Sequence, residues 1–258
     1  PTQTGLGTDA VGGESRVNGR LLVVGSISRG GDCTSGDVVQ FNGRLASRLS
    51  GPPLSEFGMT TIEKKPLLQV IGLSTHFLSF GGKRVVKAVD NVSFEIDKGD
   101  RVALIGESGC GKSTISLSLL QVLPPGARIV GGQILFEGKD LLKKNPKEMN
   151  AIRGKKIAMI LQDTMLSLDP VFTVGAQIRE TLSTHTELRG DSLEERIKDL
   201  LLAVRTPDPA RRMRQYPHEL SGGMRQRIVG AIALSCEPKL LIADEATTNL
   251  DVTIQLQY

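Results

Sequence analysis

The chain contains no tryptophan, and only two tyrosines and seven phenylalanines among its 258 residues. Aromatic platforms for stacking single-stranded bases are therefore not expected. The net charge is +4, and the basic residues are scattered along the chain instead of forming a stripe. A nucleic-acid-binding face needs such a stripe, so nucleic acid is not an expected partner. Long apolar runs are missing too. The longest, such as Leu21–Val24 and Leu240–Ala243, are strand-sized, far short of the roughly 18 to 20 residues that span a bilayer. The N-terminal stretch has neither the charged start nor the apolar centre of a signal peptide. Cys33, Cys110 and Cys236 are odd in number, widely spaced and without a C-x-x-C pair. That pattern suggests neither a disulfide framework nor a zinc site. The expectation is a cytoplasmic chain with free thiols.

The first 58 residues differ from the rest. They are rich in Gly, Ser, Arg and Asp, as in Gly12-Gly13-Glu14-Ser15 and Arg29-Gly30-Gly31-Asp32, and hold one short strand candidate, Leu21–Val24. Such a segment buries little apolar area against its ordering entropy. The chain starts with proline, and Met59 opens the patterned part. Residues 1–58 are therefore expected to be a disordered or non-native extension without a role in the chemistry, with Met59 as the natural start. A small extra strand unit is the competing reading.

From Leu67 onward strands and helices alternate. Strands are predicted at Leu67–Phe77, Val85–Val89, Val92–Ile96, Arg101–Ile105, Gln133–Phe136, Ile157–Leu161 and Leu240–Ala243, and helices at Lys112–Leu120 and Gly223–Ser235. The stretch Val174–Met213 reads as helical. Its best helix is predicted to start at Ser192, which would form a capping box with Glu195. Leu193, Ile197, Leu200, Leu201 and Val204 then mark one apolar face. The pattern predicts an α/β domain with a largely parallel sheet and an inserted helical subdomain at about 174–221.

Three motifs carry chemistry. Gly106-Glu107-Ser108-Gly109-Cys110-Gly111-Lys112-Ser113, followed by Thr114, matches G-x-x-x-x-G-K-[ST] between a strand and a helix. Glycines let successive N–H groups converge on a phosphate, and the helix N-terminus adds positive potential. This spacing points to ATP, with Lys112 reaching the β- and γ-phosphates and Ser113 on Mg²⁺. Cys110 needs only to fit the tight turn. Leu240-Leu241-Ile242-Ala243-Asp244-Glu245 describes a buried strand delivering two acids at its carboxyl end, where open parallel sheets bind ligands. Asp244 would hold Mg²⁺ and Glu245 would act as general base. Leu220-Ser221-Gly222-Gly223-Met224-Arg225-Gln226-Arg227 opens a helix with a Ser cap and two glycines, a second anion site.

This last motif resembles the LSGGQ-type signature of ATP-binding cassette proteins, with methionine at the glutamine position. The resemblance covers about Leu67–Tyr258. It implies a P-loop NTPase cassette with a RecA-like parallel core, an antiparallel β subdomain and an inserted helical subdomain. It also implies that Ser221, Gly222 and Gly223 bind the γ-phosphate of an ATP held by a second cassette subunit. Gln162 matches the family's Q-loop glutamine, sensing Mg²⁺ and the γ-phosphate. Thr248-Asn249-Leu250-Asp251 resembles the D-loop. An aromatic residue ahead of the P-loop would stack on adenine, and both Phe77 and Phe80 qualify. Ile157–Asp163, Ser167–Gly175 and Tyr216–Arg227, with Lys87–Phe94, resemble the ATP-binding subunits of oligopeptide and dipeptide importers. That subfamily also includes importers of nickel, some sugars and other small solutes.

The resemblance implies a homo- or heterodimer of cassettes at the cytoplasmic face of the membrane. It implies two membrane permease subunits and, indirectly, an extracytoplasmic solute-binding protein. Two departures stand out. Ala246 occupies a position that is usually proline, and the family's switch histidine would lie beyond Tyr258. The expectation is therefore a cassette at 59–258 that is incomplete at its C-terminus. The main reading is an ATPase energising import of peptides or similar small solutes. The alternatives are a cassette that binds ATP without efficient turnover and a non-transport cassette ATPase.

Overall fold

In the strand Leu240–Asp244 nearly every side chain is apolar, and its residues serve two different cores in turn. Leu240 and Ile242 pack into one apolar cluster, Leu241 and Ala243 against another. A strand buried on both faces belongs in a parallel sheet covered on each side. The computed structural model bears this out. It describes residues 65–78, 84–162 and 167–244 with their side chains, and Leu21–Ser26 and Ser79 as backbone. Its elements are β1 (Leu21–Ser26), β2 (Leu68–Ser79), β3 (Arg84–Ile96), β4 (Arg101–Gly106), α1 (Lys112–Leu120), β5 (Ala127–Phe136) and β6 (Lys139–Asp140). They continue with α2 (Pro146–Asn150), β7 (Ile157–Ile160), α3 (Val174–His185), α4 (Gly190–Ala203), α5 (Pro209–Arg212), α6 (Gly222–Leu234) and β8 (Leu240–Asp244).

Among the described residues these strands form two sheets. One has the order β4-β1-β8-β7, and every pairing in it is parallel. The other, β3-β2-β5-β6, is antiparallel. The first apolar cluster joins the antiparallel sheet to one face of the parallel sheet and includes Ile115 and Leu119 of α1. The second joins Ala158 and Ile160 of β7 to the helical layer, through Ile178, Leu182, Ile197, Leu201 and Ile228. The fold is thus the α/β P-loop cassette, with parallel core, antiparallel β subdomain and helical subdomain. Among the described residues no helix is long and apolar enough to cross a membrane.

Most predicted elements are present, with informative differences. The strand expected at Leu21–Val24 runs on to Ser26 and stands inside the parallel sheet, between β4 and β8. The two strands expected at Val85–Val89 and Val92–Ile96 are one, β3. Asn91, at φ 54°, absorbs an irregularity in register and lets the strand continue. β5 starts at Ala127, earlier than Gln133. Its Gly131-Gly132 pair forms a bulge instead of a break, because a Cβ on Gly132 would lie 2.6 Å from the Gly72 oxygen. The capping box expected at Ser192 and Glu195 is absent. α4 begins at Gly190, and Ser192 Oγ donates to the Arg189 carbonyl at 2.8 Å, inside the first turn. A capping box does occur at Asn145 and Glu148.

One carboxylate ties the two sheets. Glu137, at the β5–β6 turn, accepts from Lys239 just ahead of β8 and from Lys156 just ahead of β7, the latter at 3.2 Å. The hydrogen bond from Lys239, with the charges of both lysines, holds the Glu137 carboxyl below its usual value. A depressed carboxyl stabilises the fold above its unfolded value and loses that contribution as pH falls through the folded one. Glu137→Gln is therefore expected to cost about 1 kcal/mol at neutral pH, as for a partly screened pair. In a melting experiment that is a shift of about 2–4 °C. The gap between variant and wild type should close below about pH 4.5.

Candidate functional site

β4 ends at Gly106, and the chain turns through Glu107–Cys110 into α1. Gly109 and Gly111 sit at φ 85° and 97°, in the left-handed region that glycine tolerates. Gly111 is the N-cap of α1, and no side chain caps the helix. A Cβ there would lie 2.1 Å from the Ala88 oxygen of β3. Cys110 folds back over the turn, so that its Sγ would stand 2.7 Å from a Cβ on Gly106. The cysteine thus fills a notch that only glycine leaves. Ser108 and Gly109 are exposed at the tip, and Ser113 is exposed on the first turn of α1. Ser113 is followed by Thr114, whose carbonyl accepts from Ser118 Oγ at 2.6 Å.

Lys112 is buried, at 9% exposure. Its ammonium donates to the carbonyls of Gly106 at 2.9 Å and Glu107 at 2.6 Å, and lies 3.6 Å from Cys110 Sγ. Burying a cation without partners is costly. The two carbonyls meet that cost, and a phosphate entering the loop would compete with them for the same protons. The C-terminal end of α1 is held by two sets of contacts. Thr75 of β2 and Ser118 share a buried hydrogen bond of 2.9 Å. Arg153 donates to the carbonyls of Leu120 at 2.8 Å and Gln121 at 3.1 Å, covering the helix C-terminus. Sequence reading missed these positioning residues, because none belongs to a recognisable motif.

Register places the remaining residues. Ser26 of β1 pairs with Gly106, and Val24 with both Leu104 and Asp244. Ile160 of β7 pairs with Ala243. The carboxyl ends of β4, β8 and β7 therefore share one edge, where open parallel sheets bind ligands. Asp244 stands there, 5% exposed. Gln162 follows β7 by two residues and is exposed. Ser221, Gly222 and Gly223 open α6 in the helical layer, with Ser221 Oγ accepting from Met224 N at 3.4 Å. Phe77 is half-buried on β2, opposite Val86 and Ala127. Glu245, Phe80 and the Thr248–Asp251 stretch lie outside the described residues.

The donor set fits Mg²⁺-ATP. A hydroxyl and a buried carboxylate at one edge are hard oxygen donors, and Mg²⁺ characteristically takes one or two such protein ligands and fills its shell with phosphate oxygens and water. Among the described residues no group of three or more His, Cys, Asp or Glu forms a self-sufficient metal cage.

Comparison with known proteins points the same way. Residues 89–248 match the family model described as ABC transporter. The dipeptide transport ATP-binding protein DppD of Bacillus subtilis is 50% identical over 192 residues, 74% of this chain and 57% of that protein. The oligopeptide transport ATP-binding protein OppD of the same organism is 50% identical over 192 residues, 74% of this chain and 53% of its own length. The chain thus spans somewhat more than half the length of the curated relatives it matches. Among solved structures, the dimeric ATP-binding cassette MJ0796 bound to ADP and Pi superposes with a TM-score of 0.66 at 23% identity, covering 74% of this chain and 78% of that one. That likeness speaks for the fold. The chain belongs to the ABC transporter family.

Gly111→Ala is the sharpest test of the loop's geometry. The new methyl meets a backbone carbonyl, and the φ of 97° is strained for any L-residue. Strain of this kind costs about 1–3 kcal/mol. A fluorescent ATP analogue should bind at least tenfold more weakly, with the far-ultraviolet circular dichroism unchanged.

Proposed function

We propose that the chain is the ATP-binding and ATP-hydrolysing part of a transporter that imports peptides or similar small solutes. The observation that carries this reading is the shared edge of the parallel sheet. There the P-loop, Asp244 and the lead-in to Gln162 converge from three strands far apart in sequence. The peptide cargo is supported by the half-identical relatives named for dipeptide and oligopeptide transport.

The roles follow from chemistry. The amides of Gly106–Ser113, with Glu107, Ser108, Gly109 and Cys110 forming the turn, wrap the β-phosphate. Lys112 exchanges its two carbonyl partners for β- and γ-phosphate oxygens. The Ser113 hydroxyl and the Asp244 carboxylate would hold Mg²⁺, which would neutralise charge on the phosphates. Thr114 lies at the rim of the same helix terminus. Glu245, the next residue after Asp244, takes a proton from the attacking water, and Gln162 orients that water and reports on the γ-phosphate. Phe77 or Phe80 stacks on the adenine.

Ser221 and the amides of Gly222 and Gly223 serve a second nucleotide. A helix N-terminus with an exposed Ser cap attracts anions, and α6 lies in a different layer from the P-loop's strand and helix. A second cassette subunit facing this one would place each signature on the other's ATP. Two membrane permeases and, at one remove, an extracytoplasmic binding protein complete the assembly on the cytoplasmic face of the membrane.

Two substitutions separate binding from chemistry. Lys112→Ala removes a buried charged donor, a contact worth about 1.5–3 kcal/mol, so ATP affinity should fall by about 10- to 150-fold. Unchanged affinity in isothermal titration would sink the nucleotide reading. Glu245→Gln should keep ATP binding but slow phosphate release by about 10²–10⁴-fold, the usual contribution of a general base. Normal turnover by that variant would move the base elsewhere. Peptide cargo is tested by reconstituting the assembly with its permeases. ATP turnover should rise when a peptide-loaded binding protein is added, and a response only to another solute would exclude peptide.

A further inference from the structure

α3 is held differently at its two ends. Its first turn lies backbone against backbone on the stretch that leads into Ser221. The Val174 N–H donates to the Gln215 carbonyl and the Gly175 N–H to the Met213 carbonyl, both at 2.9 Å. Amides of a first turn have no partner inside their own helix, so these bonds complete α3. A Cβ on Gly175 would lie 2.8 Å from the Met213 oxygen, and the approach requires glycine. The helix runs for 12 residues, about 18 Å. In its last turn His185 lies over Gly154, in the turn ahead of β7. A Cβ on Gly154 would meet His185 Nε2 at 3.0 Å, and Gly154 has a φ of 75°. Only glycine leaves that seat open.

The residue beside the seat holds the P-loop helix. Arg153 donates to the Leu120 and Gln121 carbonyls at the end of α1, and to Asn150 Oδ1 at 2.9 Å. The turn is braced internally. The Gly154 N–H donates to the Ile157 carbonyl at 2.9 Å and the Lys156 N–H to the Ile152 carbonyl at 2.8 Å. Burial, and then the charge of Lys155, hold the His185 imidazole below its ordinary value, which favours the neutral ring at the seat. Arg153 and Lys156, the other cations of the turn, are engaged with the α1 carbonyls and with Glu137. A continuous line of contacts therefore runs from the end of α1 through Arg153, Gly154 and His185, and along α3 to Met213 and Gln215.

We infer that the Arg153-Gly154 turn is the footing of the helical layer. With His185 seated on it, the turn sets where α3, and with it the approach to Ser221, stands relative to the P-loop helix. Energetic coupling travels through packed side chains and hydrogen bonds of this kind. Arg153 and His185 are positioning residues, acting through α1 and α3 and not on the nucleotide. The inference rests on the reading of the P-loop and the Ser221 turn as two anion sites.

The test uses the full chain with Arg153→Ala, Arg153→Lys, His185→Ala and His185→Gln. Amide hydrogen exchange by mass spectrometry is read at 116–121, 182–186 and 213–217. His185→Ala should speed exchange about tenfold at 182–186 and also at 213–217. Arg153→Ala should do so at 116–121 and also at 182–186. His185→Gln reaches about as far as the imidazole Nε2 and should restore most of the protection. Arg153→Lys, without the guanidinium fork, should restore it only in part. The double alanine variant should show less than the combined effect of the singles, as neighbours on one line do. Arg153→Ala should also weaken ATP binding about tenfold, whereas His185→Ala should leave it unchanged.

Effects confined to the mutated side overturn the inference, as does strict additivity in the double variant. If Arg153→Ala does not fold, His185→Ala decides alone, and normal protection at 213–217 sinks the footing. Lys112→Ala keeps the two readings apart. Unchanged ATP affinity in that variant sinks the nucleotide reading and leaves the exchange result standing.

Discussion

Parallel strands cannot be joined by tight turns, so each requires a long crossover before the chain can pair again. Residues that end up side by side at the rim of a parallel sheet are for that reason distant in sequence. Hydrogen-bond ladders are what bring them to a common level. In this chain Gly106, Asp244 and the exit toward Gln162 meet because Ser26 pairs with Gly106, Val24 with Asp244, and Ile160 with Ala243. A slip of one residue in any of these ladders reverses which side chains face which core. Leu240 and Ile242 would then turn from the first apolar cluster to the second, and Leu241 and Ala243 would make the opposite change. Burial on both faces penalises that exchange, so packing and register enforce each other.

The two cores divide the labour around this sheet. The first clamps α1 and the antiparallel strands to one face, with Thr75, Ser118 and Arg153 holding the helix that begins at the P-loop. The second joins the opposite face to α3, α4 and α6. β7 takes part in both, through Ile157 on one side and Ala158 and Ile160 on the other. Gln162 stands just past the carboxyl end of β7, and α3, which opens at Val174, belongs to the helical layer.

The P-loop, the acidic strand and the Ser-Gly-Gly helix start were readable because each is a local pattern with a local physical cause. Glycines at positive φ, an apolar run ending in Asp and a Ser N-cap can be recognised within a few residues. The features that escaped depend on distant contacts. Leu21–Val24 could be read as a strand, but nothing in its own residues said that it would stand between β4 and β8. Asn91 looked like a break between two strands, and the ladder to β2 carries the chain straight through it. Ser192 and Glu195 had the spacing of a cap, yet the helix starts at Gly190 and turns that spacing into ordinary helix interior. Thr75, Ser118 and Arg153 belong to no pattern, since their partners lie tens of residues away.

The contact between Gly111 and Ala88 joins backbone to backbone, with no side chain between them. Side-chain interfaces yield by changing rotamer, and a main-chain interface has no such freedom. A displacement of β3 at Ala88 would therefore press directly on the backbone of the turn that precedes Lys112. The antiparallel sheet and the turn ahead of Lys112 thus meet main chain against main chain, at a point where neither side has a rotamer to give.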